Sequence, residues 1–158
     1  VLQNILNYDY LWIRLRVKGG AYGCMSGFGR DGDCYMVSYL DPKLAETNEV
    51  YDKLPEYLEQ FDQDERSMDR YVIGAISEMD IPKNPAALGV RGLTAYLSGI
   101  TREQLQKERD EVIDTDAKEI RALVPYAKAV LSNNCLCVVG NENKIKENSS
   151  LFTTVRSL

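Results

Sequence analysis

Apolar side chains recur at one-turn spacings along residues 1–17, at Val1, Ile5, Tyr8, Trp12 and Leu15, and this stripe predicts an amphipathic helix. Gly19 and Gly20 stop it. No capping residue precedes Val1, so residues upstream are expected to be missing. Residues 21–28 and 34–40 then read as strands rich in Tyr, Cys, Val and Met. Residues 29–33 join them as a β-hairpin, with Asp31-Gly32 suited to the positive φ values of a tight turn.

The pattern returns to helical spacing with Leu44, Tyr51, Leu54, Leu58 and Phe61, where Pro55 must kink or restart the helix. A helix over 64–79 carries Met68, Tyr71, Val72, Ala75, Ile76 and Met79 on one face, and Asp80-Ile81-Pro82 ends it. Residues 84–99 hold another. Thr101 and Gln104 form a capping-box pattern that opens a charged helix through Ile113. Thr115 or Asp116 caps one more, with Ile120, Leu123, Val124, Ala127 and Leu131 on its apolar face. Residues 135–139 read as a short buried strand, followed by a polar tail with a final strand near 152–155. The order predicts an α+β fold over a single domain, 1–158: a mainly antiparallel sheet with helices packed on one face.

Composition narrows the class. A chain of 158 residues with 44% hydrophobic residues and ten tyrosines can bury a sizeable core. The net charge of -5 argues against nucleic acid or an anionic membrane as partner, because either needs a cationic surface. Peptides or proteins are the expected partners. No stretch approaches the roughly 18 apolar residues of a membrane span, and the chain is expected to be soluble. The cysteines Cys24, Cys34, Cys135 and Cys137 lack the spacing of a zinc site, and Cys135 and Cys137 are expected as small buried hydrophobes in a reducing compartment. Histidine is absent, which removes His-activated nucleophiles, His-ligated zinc and imidazole acid–base catalysis from this chain. No metal site or cofactor is expected in it.

The segment Arg16-Val17-Lys18-Gly19-Gly20-Ala21-Tyr22-Gly23 runs from a helix end into the first strand. Local physics accounts for it: cations favour the negative end of the helix dipole, a glycine terminates the helix, and Tyr22 fills a strand position. Yet Leu11-Trp12 through Arg16, followed by Lys18-Gly19-Gly20-Ala21-Tyr22-Gly23, resembles the C-terminal half of pitrilysin/insulinase-type metallopeptidases, and within them the presequence-protease branch. Arg91, Tyr96-Leu97, Gly99-Ile100-Thr101, Glu103, Gln106 and Arg109 are similar to downstream helices of the same branch. The resemblance covers most of residues 1–140.

The resemblance implies a function. The family's His-x-x-Glu-His zinc helix is not in this sequence, so the implied role is that of the opposite half-shell, which closes over the peptide in a chamber. The zinc then belongs to a complementary N-terminal half of the same protein. Matched residue by residue, the implied catalytic pair is Arg16 and Tyr22, with Gly19, Gly20 and Gly23 leaving backbone open to substrate. A phenolic hydroxyl can stabilise the oxyanion of peptide hydrolysis, and a guanidinium can hold a substrate carbonyl. The family's repeating domain begins with strands that are missing here, which implies a truncated domain with an exposed sheet edge open to self-association. A non-catalytic scaffold or subunit-interaction domain is the alternative, and a free-standing peptide-binding module a third. The compartment implied is a bacterial cytoplasm or an organelle matrix.

Overall fold

The computed structural model describes residues 1–157, which form two compact units. One takes in residues 2–61 together with the stretch from Ile120 onward; the other takes in 62–119 with Val1.

Helix α1 (Leu2–Ile5) continues directly into π-wound turns at Leu6–Tyr10 and Trp12–Val17. Hydrogen bonds there reach five residues back: the Leu11 N–H donates to the Leu6 carbonyl, and the Lys18 N–H to that of Ile13. The winding resets the buried face. Ile5, Tyr10 and Leu15, with Leu6 and Leu11 beside them, are the buried apolar residues, whereas Tyr8 is 65% exposed and Trp12 37%. The expected stripe through Tyr8 and Trp12 is therefore wrong in phase, because it assumed an α-helical period throughout.

Strands β1 (Gly23–Phe28) and β2 (Cys34–Tyr39) pair antiparallel, with Gly23 opposite Tyr39 and Phe28 opposite Cys34. The Gly29 N–H donates to the Asp33 carbonyl at 2.7 Å and closes the loop. Only Gly32 of the expected Asp31-Gly32 pair takes a positive φ. The edge of β1 is not bare. Buried Ser26 donates its N–H and its hydroxyl to Asn7 Oδ1 at 2.6 and 2.8 Å, and Asn7 Nδ2 reaches the Ser26 carbonyl at 3.4 Å.

Pro55 restarts the next helix, dividing it into α2 (Leu44–Asp52) and α3 (Leu54–Glu59). Tyr10 stacks at a tilt on Tyr57, 4.5 Å between centroids, and donates its hydroxyl to the Val50 carbonyl at 2.6 Å. Burial pushes the Tyr10 and Tyr57 hydroxyls up to about 12.

In the second unit α4 (Glu65–Met79) is capped by Asp64, which accepts from the Ser67 N–H at 2.8 Å, and buries Met68, Tyr71 and Ala75. Asn84 caps α5 (Pro85–Leu97) in the same way through the Ala87 N–H. No residue of α5 is buried, and Leu88, Val90, Leu93 and Leu97 lie exposed. Both halves of the predicted capping box are present at the start of α6 (Arg102–Ile113).

Asp116, not Thr115, caps α7 (Ala117–Ala122) by accepting from the Glu119 N–H at 2.9 Å. Pro125 opens α8 (Val124–Ser132), so the expected single helix is two. Lys128 pairs with Glu59 at 2.6 Å, and Arg121 donates to the Phe61 carbonyl at 2.6 Å, tying α8 and the end of α7 to the α3 region. The expected strand at 135–139 does not form, and Cys135 and Cys137 are exposed rather than buried. A strand exists only with a ladder partner, and among the described residues none faces this stretch. The tail instead forms α9 (Glu142–Glu147), capped by Asn141, and no strand forms at 152–155. The fold is α+β and helix-rich, with a two-stranded antiparallel sheet in place of the larger sheet expected.

Candidate functional site

Arg16 stands in the last π turn, and a short, tightly bonded corner carries the chain from it to Tyr22. The Gly20 N–H donates to the Arg16 carbonyl at 3.1 Å and the Ala21 N–H to that of Leu15 at 2.9 Å, which satisfies the last helical carbonyls. Gly20 has φ 88, a left-handed conformation that glycine adopts without steric cost. A Cβ on Gly19 would lie 2.4 Å from the Leu15 carbonyl oxygen, so the corner leaves no room for a side chain there. Ala21 is buried, and Tyr22 beside it is 61% exposed. The Tyr22 N–H donates to the Leu40 carbonyl at 3.3 Å, and Leu40 itself holds φ 47, a strained value for a branched side chain.

The corner brings Arg16 and Tyr22 together. The Arg16 guanidinium carbon lies 4.1 Å from the centroid of the Trp12 ring and 5.8 Å from that of Tyr22. Tyr22 meets Tyr39 edge to face, 5.3 Å between centroids at 67°. Arg16 and Tyr22 are both exposed, so a guanidinium with five fixed donors and a phenolic hydroxyl share one solvent-facing surface. That pairing suits recognition of carbonyl or anionic oxygen.

Gly23 serves the same surface from the strand. A Cβ there would sit 2.4 Å from Tyr39 Cε1, so the Tyr39 ring lies over a bare Cα across the hairpin. Burial pushes the Cys24 thiol up, with Arg16 acting more weakly in the opposite sense, which leaves it protonated and a poor nucleophile. Arg14, Lys18, Gly19 and Lys43 line a separate shallow cleft of about 140 Å³ that takes in neither Arg16 nor Tyr22.

Zinc does not fit this donor set. The sequence has no histidine, and among the described residues no three Cys, Asp or Glu side chains are grouped to hold a metal ion.

The residues of the second family-like stretch lie in α5, in α6 and in the turn between them, within the other unit. Arg109 there is taken by Asp80, while Arg91 and Tyr96 are exposed. Trp12 and Tyr39 flank the Arg16–Tyr22 pair. The four-residue step from Trp12 to Arg16 is a usable signal for one; Tyr39 has none in the sequence, since only the hairpin register sets it opposite Gly23.

The chain is similar to known proteins along most of its length. The family model of the PreP C-terminal domain matches residues 1–140. Protein HypA of Clostridium perfringens is 47% identical over 158 residues, which is all of this chain and 16% of that protein. Presequence protease 1, chloroplastic/mitochondrial, of Arabidopsis thaliana is 29% identical over 163 residues, covering all of this chain and 15% of the relative. The mitochondrial presequence protease of Emericella nidulans is 27% identical over 143 residues, 90% of this chain and 13% of its own length. The chain thus spans less than a fifth of the curated relatives it matches.

Proposed function

Since this chain belongs to the PreP C-terminal domain family, in the presequence-protease branch of pitrilysin-type peptidases, we propose that it is the non-zinc portion of a zinc peptidase that degrades peptides in a closable chamber. It contributes Arg16 and Tyr22 to a reaction centre whose zinc, base and remaining contacts come from the N-terminal half of a longer polypeptide. The observation that carries this reading is the meeting of Arg16 and Tyr22, six residues apart, on one exposed surface.

The roles follow from the donors. The Tyr22 hydroxyl donates to the oxygen on which negative charge develops as water adds to the scissile carbonyl. The Arg16 guanidinium holds a neighbouring backbone carbonyl of the peptide and keeps the scissile bond in register. Of the three glycines, Gly20 leaves the backbone most open to an extended peptide, since a Cβ there would meet only Pro42 Cγ at 3.6 Å, whereas Gly19 packs on the Leu15 carbonyl and Gly23 lies under the Tyr39 ring. With the β1 edge occupied by Asn7 at Ser26, the outer edge of β2, which has no strand partner among the described residues, is the side on which a peptide or a further strand can pair.

The two-stranded sheet and α5 read as surfaces completed by the rest of the longer protein. Two features support this: a two-stranded sheet is marginal alone, and α5 exposes an apolar surface of the kind that normally lies in a core. The compartment that fits such a protein is an organelle matrix or a bacterial cytoplasm.

Arg16→Ala in the longer polypeptide tests the reading. Loss of a charged hydrogen bond to substrate, worth about 1.5–3 kcal/mol, should lower kcat/KM for peptides by roughly 10- to 100-fold without loss of zinc. Unchanged kcat/KM would remove Arg16 from the substrate site.

A further inference from the structure

Two side chains beside the Arg16–Tyr22 pair have no place in the scheme above. Trp12 and Tyr39 are both exposed, and neither contributes to the buried core. An exposed arginine ordinarily samples many rotamers, and ordering it on substrate binding costs affinity. Here the guanidinium lies over the Trp12 ring at 4.1 Å, four residues before it, and within 5.8 Å of the Tyr22 ring. An exposed tyrosine at a strand entrance has the same freedom, yet the Tyr22 ring is met edge-on by Tyr39 at 5.3 Å. Tyr39 reaches that position because its partner across the hairpin is Gly23. Any side chain at 23 would collide with the Tyr39 ring at 2.4 Å and drive it away from Tyr22.

We infer that Trp12 and Tyr39 are positioning residues: Trp12 presets the Arg16 guanidinium, and Tyr39, seated over Gly23, presets the Tyr22 ring. The row Trp12, Arg16, Tyr22, Tyr39 is a frame that fixes the two donors before substrate arrives. It rests on the reading that Arg16 binds a substrate carbonyl and Tyr22 the oxyanion. Each outer residue acts through a different inner one, so their losses differ in kind. Removing Trp12 weakens binding through Arg16 and raises KM. Removing Tyr39 misplaces Tyr22 and lowers kcat. A hydroxyl is not needed at 39, nor an indole at 12; a ring is needed at both.

The experiment is steady-state peptide hydrolysis by the longer zinc-bearing polypeptide, with Trp12→Ala, Trp12→Phe, Tyr39→Ala, Tyr39→Leu, Tyr22→Phe and the double variant Tyr39→Ala/Tyr22→Phe. Thermal unfolding of each is followed alongside. Trp12→Ala should raise KM about tenfold, and Tyr39→Ala and Tyr39→Leu should lower kcat about tenfold, less than the roughly 10²-fold that a 1 Å misplacement of a reacting group can cost. Trp12→Phe should recover most of the lost affinity. In the Tyr22→Phe background, Tyr39→Ala should have no further effect, because its route to the chemistry is gone. Tyr39→Leu keeps an apolar cover on Gly23, so it reports on the ring even if Tyr39→Ala proves unstable. Full activity in Trp12→Ala and Tyr39→Leu, alongside a loss in Tyr22→Phe, would overturn the positioning roles alone. Full activity in Tyr22→Phe would overturn the reading on which they rest.

Discussion

Asp80, the residue that closes α4, accepts from both terminal nitrogens of Arg109 on α6, at 2.6 and 2.8 Å, in a two-pronged pair between residues 29 apart in sequence. The hydrogen bonds from Arg109, more than its charge, hold the Asp80 carboxyl below its ordinary value of 3.8. A depressed carboxyl contributes stability above its unfolded pKa and loses it as pH falls through the folded one. Asp80→Asn should therefore loosen the α4–α6 pairing at neutral pH, and the gap from wild type should close in acid, below 3.8. Hydrogen exchange of α6 amides across that range measures it, and a gap of constant size would assign the effect to something other than the carboxylate. Asp80 is exposed and Arg109 half-buried, so added salt should also narrow the gap.

Asn7 holds a strand edge. Asn7→Ala leaves the Ser26 N–H and carbonyl without their side-chain partner in a buried position. The cost of such orphaned groups is about 1–3 kcal/mol, and urea unfolding of the polypeptide that carries this chain should register it. A loss below about 0.5 kcal/mol would mean that water replaces Asn7 at that edge without penalty.

The apolar surface of α5 gives a prediction about the longer protein. With the native cysteines replaced, a Leu93→Cys variant of the full polypeptide should resist maleimide until urea is added, because the surface that is 58% exposed at Leu93 in this chain is covered there. Rapid labelling of the folded full-length protein would contradict that covering.

How far these features could be read from sequence depended on how local their causes are. The capping box at Thr101 and Gln104, the restart at Pro55 and the hairpin closed over 29–33 are set by residues within a few positions of one another, and all three form. The π winding escaped notice because its signal, apolar residues five apart at Ile5, Tyr10 and Leu15, overlaps the α-helical stripe at Ile5 and Leu15. Residues 135–139 have the composition of a buried strand, but pairing is non-local, and no described strand supplies the other half of the ladder. Polar α9 has no apolar stripe; its local marks are Asn141 at its start and the charges Glu142, Lys144 and Lys146 along it. At the site, the Arg16 and Tyr22 motif was legible through family resemblance. Of the flanking rings, Trp12 is marked by its four-residue step to Arg16, whereas Tyr39 becomes a neighbour of Tyr22 only once the hairpin register sets it over Gly23.

All of the functional account depends on a phenol in this chain acting on chemistry centred in another segment. The most direct measurement is kcat for a peptide with the longer polypeptide carrying Tyr22→Phe, with its zinc content determined on the same sample. The loss of one oxyanion donor predicts a fall of at least tenfold, and up to roughly 10²–10³, with zinc unchanged. Wild-type kcat in that variant would contradict the account.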